Sequence, residues 1–148
     1  MITYLTGDLF TSGADAIAHG VNTYGQMGGG IAVQFKNQFP NMYNTYKIFC
    51  EENRLRGGGA FPWYVSNDDQ WVYNLVTQIP PGRNARYTFV AASMSRMFEH
   101  AYDNLVRTIA MPKVGCGIGG LEWPVVESII EDLITAYECE INVEVWSL

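Results

Sequence analysis

Short apolar segments separated by polar or glycine-rich turns predict six β-strands. Most of these segments are bounded by Gly, Pro, Asn or Asp, which is typical of strands. The polar turn at 67–69 indicates that two of the strands form a hairpin. The predicted strands cover residues 1–6, 15–21, 60–65, 71–77, 108–111 and 141–146.

Between these strands, apolar residues recur every three to four positions, which predicts helices. Three helices are predicted at 29–38, 40–54 and 87–105, and a fourth begins near Trp123, with Pro124 in its first turn. The inner side of the third helix is expected to hold Phe89, Val90, Met94, Met97, Phe98, Ala101, Tyr102 and Leu105. The alternation of strands and helices indicates an α/β layered fold with a largely parallel sheet, whose ligands bind beyond the carboxyl ends of the strands.

The length of the chain favours a single domain over residues 1–148. Hydrophobic residues make up 48% of the sequence and charged residues 16%, which suits a packed core and lacks the signature of disorder. No apolar run approaches the roughly 20 residues that span a bilayer. The first residues enter a strand without a basic segment before it, so we expect no signal peptide and a cytoplasmic location.

Charge and cysteine content narrow the function classes. A net charge of −6 argues against general nucleic-acid binding, which needs a basic face, but leaves small anionic ligands open. Cys50, Cys116 and Cys139 are odd in number, widely spaced, and match no zinc or redox motif. We therefore expect a reducing compartment, no metal site and no cofactor.

Two glycine-rich loops, each between a strand and a helix, are the most informative feature of the chain. The first glycine loop is 25–32 and the second is 115–123. Glycine lacks a Cβ, so its backbone N–H groups can approach a ligand closely, and two such loops suggest a diphosphate held from both sides. The second loop contains a GxGxxG pattern, but too little chain follows it for a Rossmann domain, and no Walker pattern is present.

Four segments together resemble the signatures of the macrodomain family, in the family's order. They are 7–9, 16–22, 28–32 and 112–120, and the resemblance extends over essentially the whole chain. It implies a three-layer α/β/α macrodomain with a central mixed, largely parallel sheet that binds ADP-ribose in a surface cleft. The most similar subgroup is the compact macrodomains, which include ADP-ribose 1''-phosphate phosphatases and the ALC-type and DarG-type ADP-ribosyl hydrolases.

The resemblance implies ligand contacts for residues that also have simpler roles. Asp8 would accept a hydrogen bond from the adenine amino group, or it caps a turn. Asn22 would contact the distal ribose, or it forms an Asn turn. Trp146 would pack beside adenine, or it fills the core.

The two glycine loops would wrap the diphosphate and the distal ribose, although a flexible loop alone would explain either of them. Cys116 is interpreted as a small packing residue, because no partner base accompanies its thiol. The remaining expected ligand contacts are Leu9, Gly28, Gly29, Gly30, Ile31, Val114, Gly115, Cys116, Gly117, Ile118, Gly119 and Gly120.

The candidate catalytic residues are His19, Asn22 and Gln78. His19 resembles a histidine of the phosphatase-type macrodomains, and an imidazole with a pKa near neutrality can donate a proton to a leaving oxygen. The alternative is a buried histidine hydrogen-bonded to backbone. Arg83 and Arg86 follow a Pro-Pro-Gly turn and are either phosphate contacts or solvent-exposed loop charges.

The chain departs from the lysine-dependent hydrolases at two positions. Gln78 stands where the resemblance places their lysine, and an amide cannot form a Schiff base with an opened ribose. Gly119 stands where part of that group has an acidic residue. We therefore expect hydrolysis of ADP-ribose 1''-phosphate to ADP-ribose and phosphate. The alternatives are a non-catalytic reader or sequesterer of ADP-ribose, and a lysine-independent hydrolase that removes ADP-ribose from a modified macromolecule.

Overall fold

The structure is a computed structural model that describes residues 1–137 and 140–148. It confirms the predicted strands and helices, with differences of a few residues at their ends. The strands are β1 (Ile2–Thr6), β2 (Ala16–Val21), β3 (Ala60–Val65), β4 (Gln70–Val76), β5 (Thr108–Met111) and β6 (Asn142–Ser147). The helices are α1 (Ala32–Gln38), α2 (Pro40–Glu51), α3 (Tyr87–Asp103) and α4 (Trp123–Ala136), and a short 3-10 helix covers Leu9–Thr11.

All six strands lie in one sheet with the order β1-β6-β5-β2-β4-β3. Neighbouring strands are parallel, except that β3 and β4 form the predicted antiparallel hairpin. The mixed, largely parallel sheet is therefore confirmed, and the carboxyl ends of β2, β4 and β5 meet at one edge.

Helices cover both faces of the sheet. Along β2, Ala16 and Ala18 pack with the residues of α3 and α4, whereas Ile17 and Val21 pack with those of α1 and α2. Because both faces are buried, the central strands are mostly apolar instead of alternating between apolar and polar residues, and His19 in β2 and Asn74 in β4 are the buried polar exceptions. The three-layer α/β/α arrangement is confirmed.

Three helix ends differ from the predictions. The first helix begins at Ala32 instead of position 29, because the residues before it form a loop. The second ends at Glu51 instead of position 54, since Asn53 adopts a left-handed φ of 56° that a helix cannot contain. The third ends at Asp103 instead of position 105.

The predicted inner side of α3 is wrong at its last two positions. Tyr102 and Leu105 are 71% and 74% exposed. Leu105 has a φ of 58°, and the backbone N–H of Val106 donates to the carbonyl oxygen of Ala101 at 2.9 Å. This pattern is a helix-terminating turn, so helical spacing no longer determines which way Leu105 points.

Three further predictions concern membrane-spanning segments, the cysteines and a metal site. Among residues 1–137 and 140–148, no helix is long and apolar enough to cross a membrane. Cys50 and Cys116 are free thiols, and Cys139 lies outside the described residues. Within the same part of the chain, no three His, Cys, Asp or Glu side chains lie close enough to hold a metal ion.

Candidate functional site

The two glycine loops face each other across a cleft at the carboxyl ends of β2, β4 and β5. This cleft has a volume of about 650 Å³, and we call it the loop hollow. Both loops line it, together with the end of β2 and the turn that follows β4. The predicted residues along it are Asn22, Gly28, Gly29, Gly30, Ile31, Gln78, Val114, Gly115, Cys116, Gly117, Ile118 and Gly119.

A second hollow of about 680 Å³ adjoins the first, and we call it the Asp8 hollow. The predicted residues Asp8, Leu9 and Trp146 line it. Gly30, Ile31 and Pro112 line both hollows, so the two form neighbouring parts of one depression. Each volume lies within the range of small-molecule sites, roughly 300 to 1,000 Å³.

The two loops touch at Gly29 and Ile118. A Cβ at Gly29 would lie 2.7 Å from Cδ1 of Ile118, so the flexible end of the Ile118 side chain would have to move. Gly30 has a φ of 58°, which other residues rarely adopt. At Gly28 and Gly117, no atom lies within 4 Å of the position of a Cβ, so the backbone of both loops is open to a ligand.

The second loop is packed tightly at its end. A Cβ at Gly119 would lie 2.7 Å from both the Cβ of Ala85 and the carbonyl oxygen of Gly115. An acidic side chain at position 119 therefore has no room in this chain. Gly120 lines neither hollow, and its missing side chain leaves room for the stem of Arg83.

The side chain of Asn22 forms the Asn turn and also faces the loop hollow. Its Oδ1 accepts from the backbone N–H of Tyr24 at 2.9 Å and from the hydroxyl of Tyr46 at 3.1 Å. Its Nδ2 donates to the carbonyl oxygen of Gln26 at 2.9 Å. These bonds occupy the acceptor and one N–H, so the second N–H of Asn22 is the group with spare capacity.

Two hydrogen bonds to backbone carbonyl oxygens fix the side-chain amide of Gln78. Its Nε2 donates to the carbonyl oxygens of Pro80 at 2.9 Å and Gly82 at 2.8 Å. Carbonyl oxygens only accept, so these bonds fix which end of the amide is nitrogen. The Oε1 of Gln78 lies 3.2 Å from the position of a Cβ on Gly119, facing the second glycine loop.

His19 is not placed with the other candidate catalytic residues. Its ring is completely buried, stacks on Phe35 at 3.7 Å between ring centroids, and lines neither hollow. Its Nε2 lies 2.7 Å from Oδ1 of Asn74, whose Nδ2 donates to the carbonyl oxygen of Phe61. Because Oδ1 of Asn74 accepts, Nε2 of His19 carries the proton and Nδ1 does not.

Burial lowers the pKa of His19 to about 4, although the bond to Asn74 opposes this effect. The ring is therefore neutral at physiological pH and shielded from the cleft. The partner of the ring is a side chain and not the backbone that the alternative interpretation expected. The geometry does not place His19 to protonate a leaving group in the loop hollow.

Charged side chains are sparse along the site. Among the described residues that line the loop hollow, Lys113 carries the one permanent charge. Burial raises the pKa of the Cys116 thiol, so this sulfur stays protonated and is a poor nucleophile. Arg83 and Arg86 are exposed and line neither hollow, as in the solvent-exposed alternative.

Asp8 and Trp146 each make a structural contact and also line the Asp8 hollow, and their contacts with adenine stay predictions. One carboxylate oxygen of Asp8 accepts from the backbone N–H of Phe10 at 3.0 Å and caps the 3-10 helix, while the residue lines the Asp8 hollow. Trp146 is half-buried against the core and lines the same hollow. Its Nε1 donates to the carboxylate of Glu144 at 3.0 Å, which fixes the orientation of the ring.

Several residues that shape the site were not predicted from the sequence. Thr77 and Met27 line the loop hollow, and Tyr46 orients Asn22 from helix α2. Thr77 directly precedes Gln78 at the end of a predicted strand, and this position could have identified it as a residue that lines the site. No local pattern connects Tyr46 with Asn22, because their contact depends on how α2 packs on the sheet.

Comparisons with known proteins identify relatives of the whole chain. A DNA ADP-ribosyl glycohydrolase of Thermus aquaticus is 32% identical over 99% of this chain, which spans only 40% of that protein. The ADP-ribose glycohydrolase OARD1 of Homo sapiens is 31% identical over 96% of this chain and 90% of its own length. An ADP-ribose 1''-phosphate phosphatase of Candida albicans is 31% identical over 89% of this chain and 93% of its own length.

Structural and family comparisons agree with these relatives. A solved structure of the macrodomain of Thermus aquaticus DarG covers the whole chain with a TM-score of 0.87 and 30% identity, and 99% of that structure is matched. The family model for the Macro domain matches residues 18–130, well over half of the sequence. The chain belongs to the macrodomain family.

Proposed function

We propose that this chain binds ADP-ribose and hydrolyses ADP-ribose 1''-phosphate to ADP-ribose and phosphate. The observation that supports binding is the pair of adjoining hollows, one lined by glycine backbone and the other by an acceptor and an aromatic ring. ADP-ribose has matching parts: a diphosphate that accepts hydrogen bonds and an adenine with a donor edge and a flat face.

The Asp8 hollow suits the adenine end. Asp8 uses one carboxylate oxygen to cap the 3-10 helix and has a second oxygen that can accept from an amino group. Trp146 supplies an aromatic surface beside it, held by its bond to Glu144. The diphosphate would then lie near Gly30 and Ile31, which line both hollows, and the distal ribose would lie in the loop hollow.

The polar groups of the loop hollow favour phosphate-ester hydrolysis over chemistry that needs a lysine. Gln78 presents an anchored amide, and packing against Ala85 leaves Gly119 no space for an acid. Phosphoryl transfer needs little covalent participation by the protein and depends mainly on positioning and on hydrogen bonds to developing charge. The relative from Candida albicans is a phosphatase of this kind by name, whereas the other two relatives are glycohydrolases.

One observation favours a second candidate, a reader that binds ADP-ribose without turnover. The described lining of the loop hollow contains no carboxylate and no imidazole, and His19 is enclosed behind Phe35. A reader needs the same hollows but no proton donor. ADP-ribosylated macromolecules would be the natural partners of such a protein, and free ADP-ribose 1''-phosphate the partner of the enzyme.

Three assays on the same sample separate these functions. Calorimetric titration with ADP-ribose tests binding, with micromolar affinity, about −8 kcal/mol, as the expected result. Phosphate release from ADP-ribose 1''-phosphate then tests turnover, with a parallel assay for release of ADP-ribose from modified DNA. Binding with phosphate release supports the phosphatase, binding without either reaction supports the reader, and absence of binding refutes both.

A matched pair of variants connects either result to the cleft. Gly29→Val introduces a side chain where the two loops touch, and we expect it to abolish binding. Gly13→Val is the control, because Gly13 lies away from both hollows and no atom lies within 4 Å of its Cβ position. Its φ of 67° makes the control somewhat unstable, so both variants are assayed well below their unfolding temperatures.

A further inference from the structure

The side-chain oxygen of Gln78 is an acceptor at the edge of the loop hollow. Both hydrogens of its Nε2 are used, one on Pro80 and one on Gly82. No hydrogen bond to its Oε1 is present among the described residues, and this oxygen faces the second glycine loop at Gly119. The amide is therefore rigidly oriented, with its free end an acceptor only.

Other side-chain amides along the hollow lack this combination. The Oδ1 of Asn22 already accepts from Tyr24 and Tyr46, so the spare group of Asn22 is a donor. Gln26 lines the same hollow, but its side chain is exposed and no side-chain hydrogen bond within the described part of the chain anchors it. An acceptor that is already fixed in place loses little conformational entropy when a donor binds to it.

We propose that Oε1 of Gln78 orients the water that attacks the phosphate of ADP-ribose 1''-phosphate, a role that rests on the proposed function. The water donates one hydrogen bond to Oε1 while its oxygen forms the new bond to phosphorus. The bond between phosphorus and the anomeric oxygen breaks. One proton of the water ends on that anomeric oxygen and the other stays on phosphate, so the products are ADP-ribose and HPO₄²⁻.

Gln78 itself gains and loses no proton in this step. A neutral amide is too weak a base to take a proton from water, so its contribution is the position of the nucleophile. Glutamine serves in this way in some GTPases, where it orients the attacking water. The role predicts a change in turnover and not in binding when the acceptor is removed.

Gln78→Met and Asn84→Ala form a matched pair for this test. The methionine has a similar length but neither the acceptor nor the two donors that hold the turn at 80–82. Asn84 holds the same turn from outside, since its Nδ2 donates to the carbonyl oxygen of Pro81 at 2.8 Å, and it lines neither hollow. Asn84→Ala therefore loosens the turn and leaves the acceptor in place.

The measurements are steady-state phosphate release from ADP-ribose 1''-phosphate and calorimetric affinity for ADP-ribose. For Gln78→Met we expect kcat to fall about 100-fold while KM and the ADP-ribose Kd stay within about threefold of wild type. For Asn84→Ala we expect kcat within about threefold of wild type. Retained ADP-ribose binding also shows that the Gln78→Met protein is folded.

Two results would overturn this role while leaving the phosphatase intact. One is a kcat of Gln78→Met that equals that of the wild type. The other is an equal loss of kcat in Gln78→Met and Asn84→Ala, which would assign the effect to the turn at 80–82. A wild-type protein that binds ADP-ribose but releases no phosphate would instead overturn the proposed reaction, and the role of Gln78 with it.

Discussion

Lowering the pH should destabilise the folded chain through His19, and His19→Gln should remove this effect. Burial holds the pKa of His19 at about 4 instead of 6.5. The unfolded chain takes up a proton near pH 6.5 and the folded chain only near pH 4, so the stability is fully present above 6.5 and falls between these values. At about 1.4 kcal/mol for each pKa unit, the loss across this interval is about 3 kcal/mol.

Urea unfolding followed by tryptophan fluorescence measures this difference, since the chain has four tryptophans. Glutamine at position 19 does not titrate and can still donate to Asn74. His100, whose pKa burial also lowers, is present in both proteins and cancels when they are compared. Equal slopes of stability against pH from about 7.5 to 4.5 would refute the argument and would return His19 to the candidate proton donors.

Three further predictions concern single side chains. Asp8→Asn keeps the helix cap but replaces a hydrogen-bond acceptor with a donor, so calorimetry should show an affinity for ADP-ribose that is about 10- to 100-fold lower. The affinity for the analogue with hypoxanthine in place of adenine should not fall, and equal losses for both ligands would contradict the adenine contact. Gly119→Ala should destabilise the fold by about 1–3 kcal/mol in urea unfolding, and Gly117→Ala, where no atom is near, should be close to neutral; similar values would contradict the tight packing. Leu105→Gly should stabilise the fold by about 0.5–1 kcal/mol, because glycine relieves the left-handed φ, and a lower unfolding temperature would count against it.

Much of the site could be predicted because its residues are local in sequence. Each glycine loop is one continuous segment, and strand–loop–helix order places both loops at the carboxyl ends of parallel strands. Asp8 likewise lies only two residues after the end of β1. The limits appear where the environment comes from distant segments, since Phe35 and Asn74 enclose His19 and neither is adjacent to it in sequence.

Gln78 is a second residue whose surroundings could not be predicted from the sequence. The resemblance to lysine-dependent hydrolases shows that this residue lacks their amine, and the hydrogen bonds to Pro80 and Gly82 show how its amide is oriented. Those bonds depend on a tight turn that closes back onto the end of β4, which a Pro-Pro-Gly pattern predicts only as a loop. Leu105 is a similar case, because the apolar spacing of α3 continues into the turn that ends the helix.

Few charged side chains line the site, so the proposed binding of an anionic ligand by an acidic chain depends on the backbone. The described lining residues with a full charge are Lys113 in the loop hollow and Asp8 in the adjoining one. Attraction to a diphosphate must therefore come mainly from backbone N–H groups, which act only at hydrogen-bonding distance. A net charge of −6 repels polyanions over longer distances but weakens these short contacts little, because salt screens the distant charges. We therefore expect the proposed site to favour a small diphosphate that reaches the glycine backbone over a polyanion.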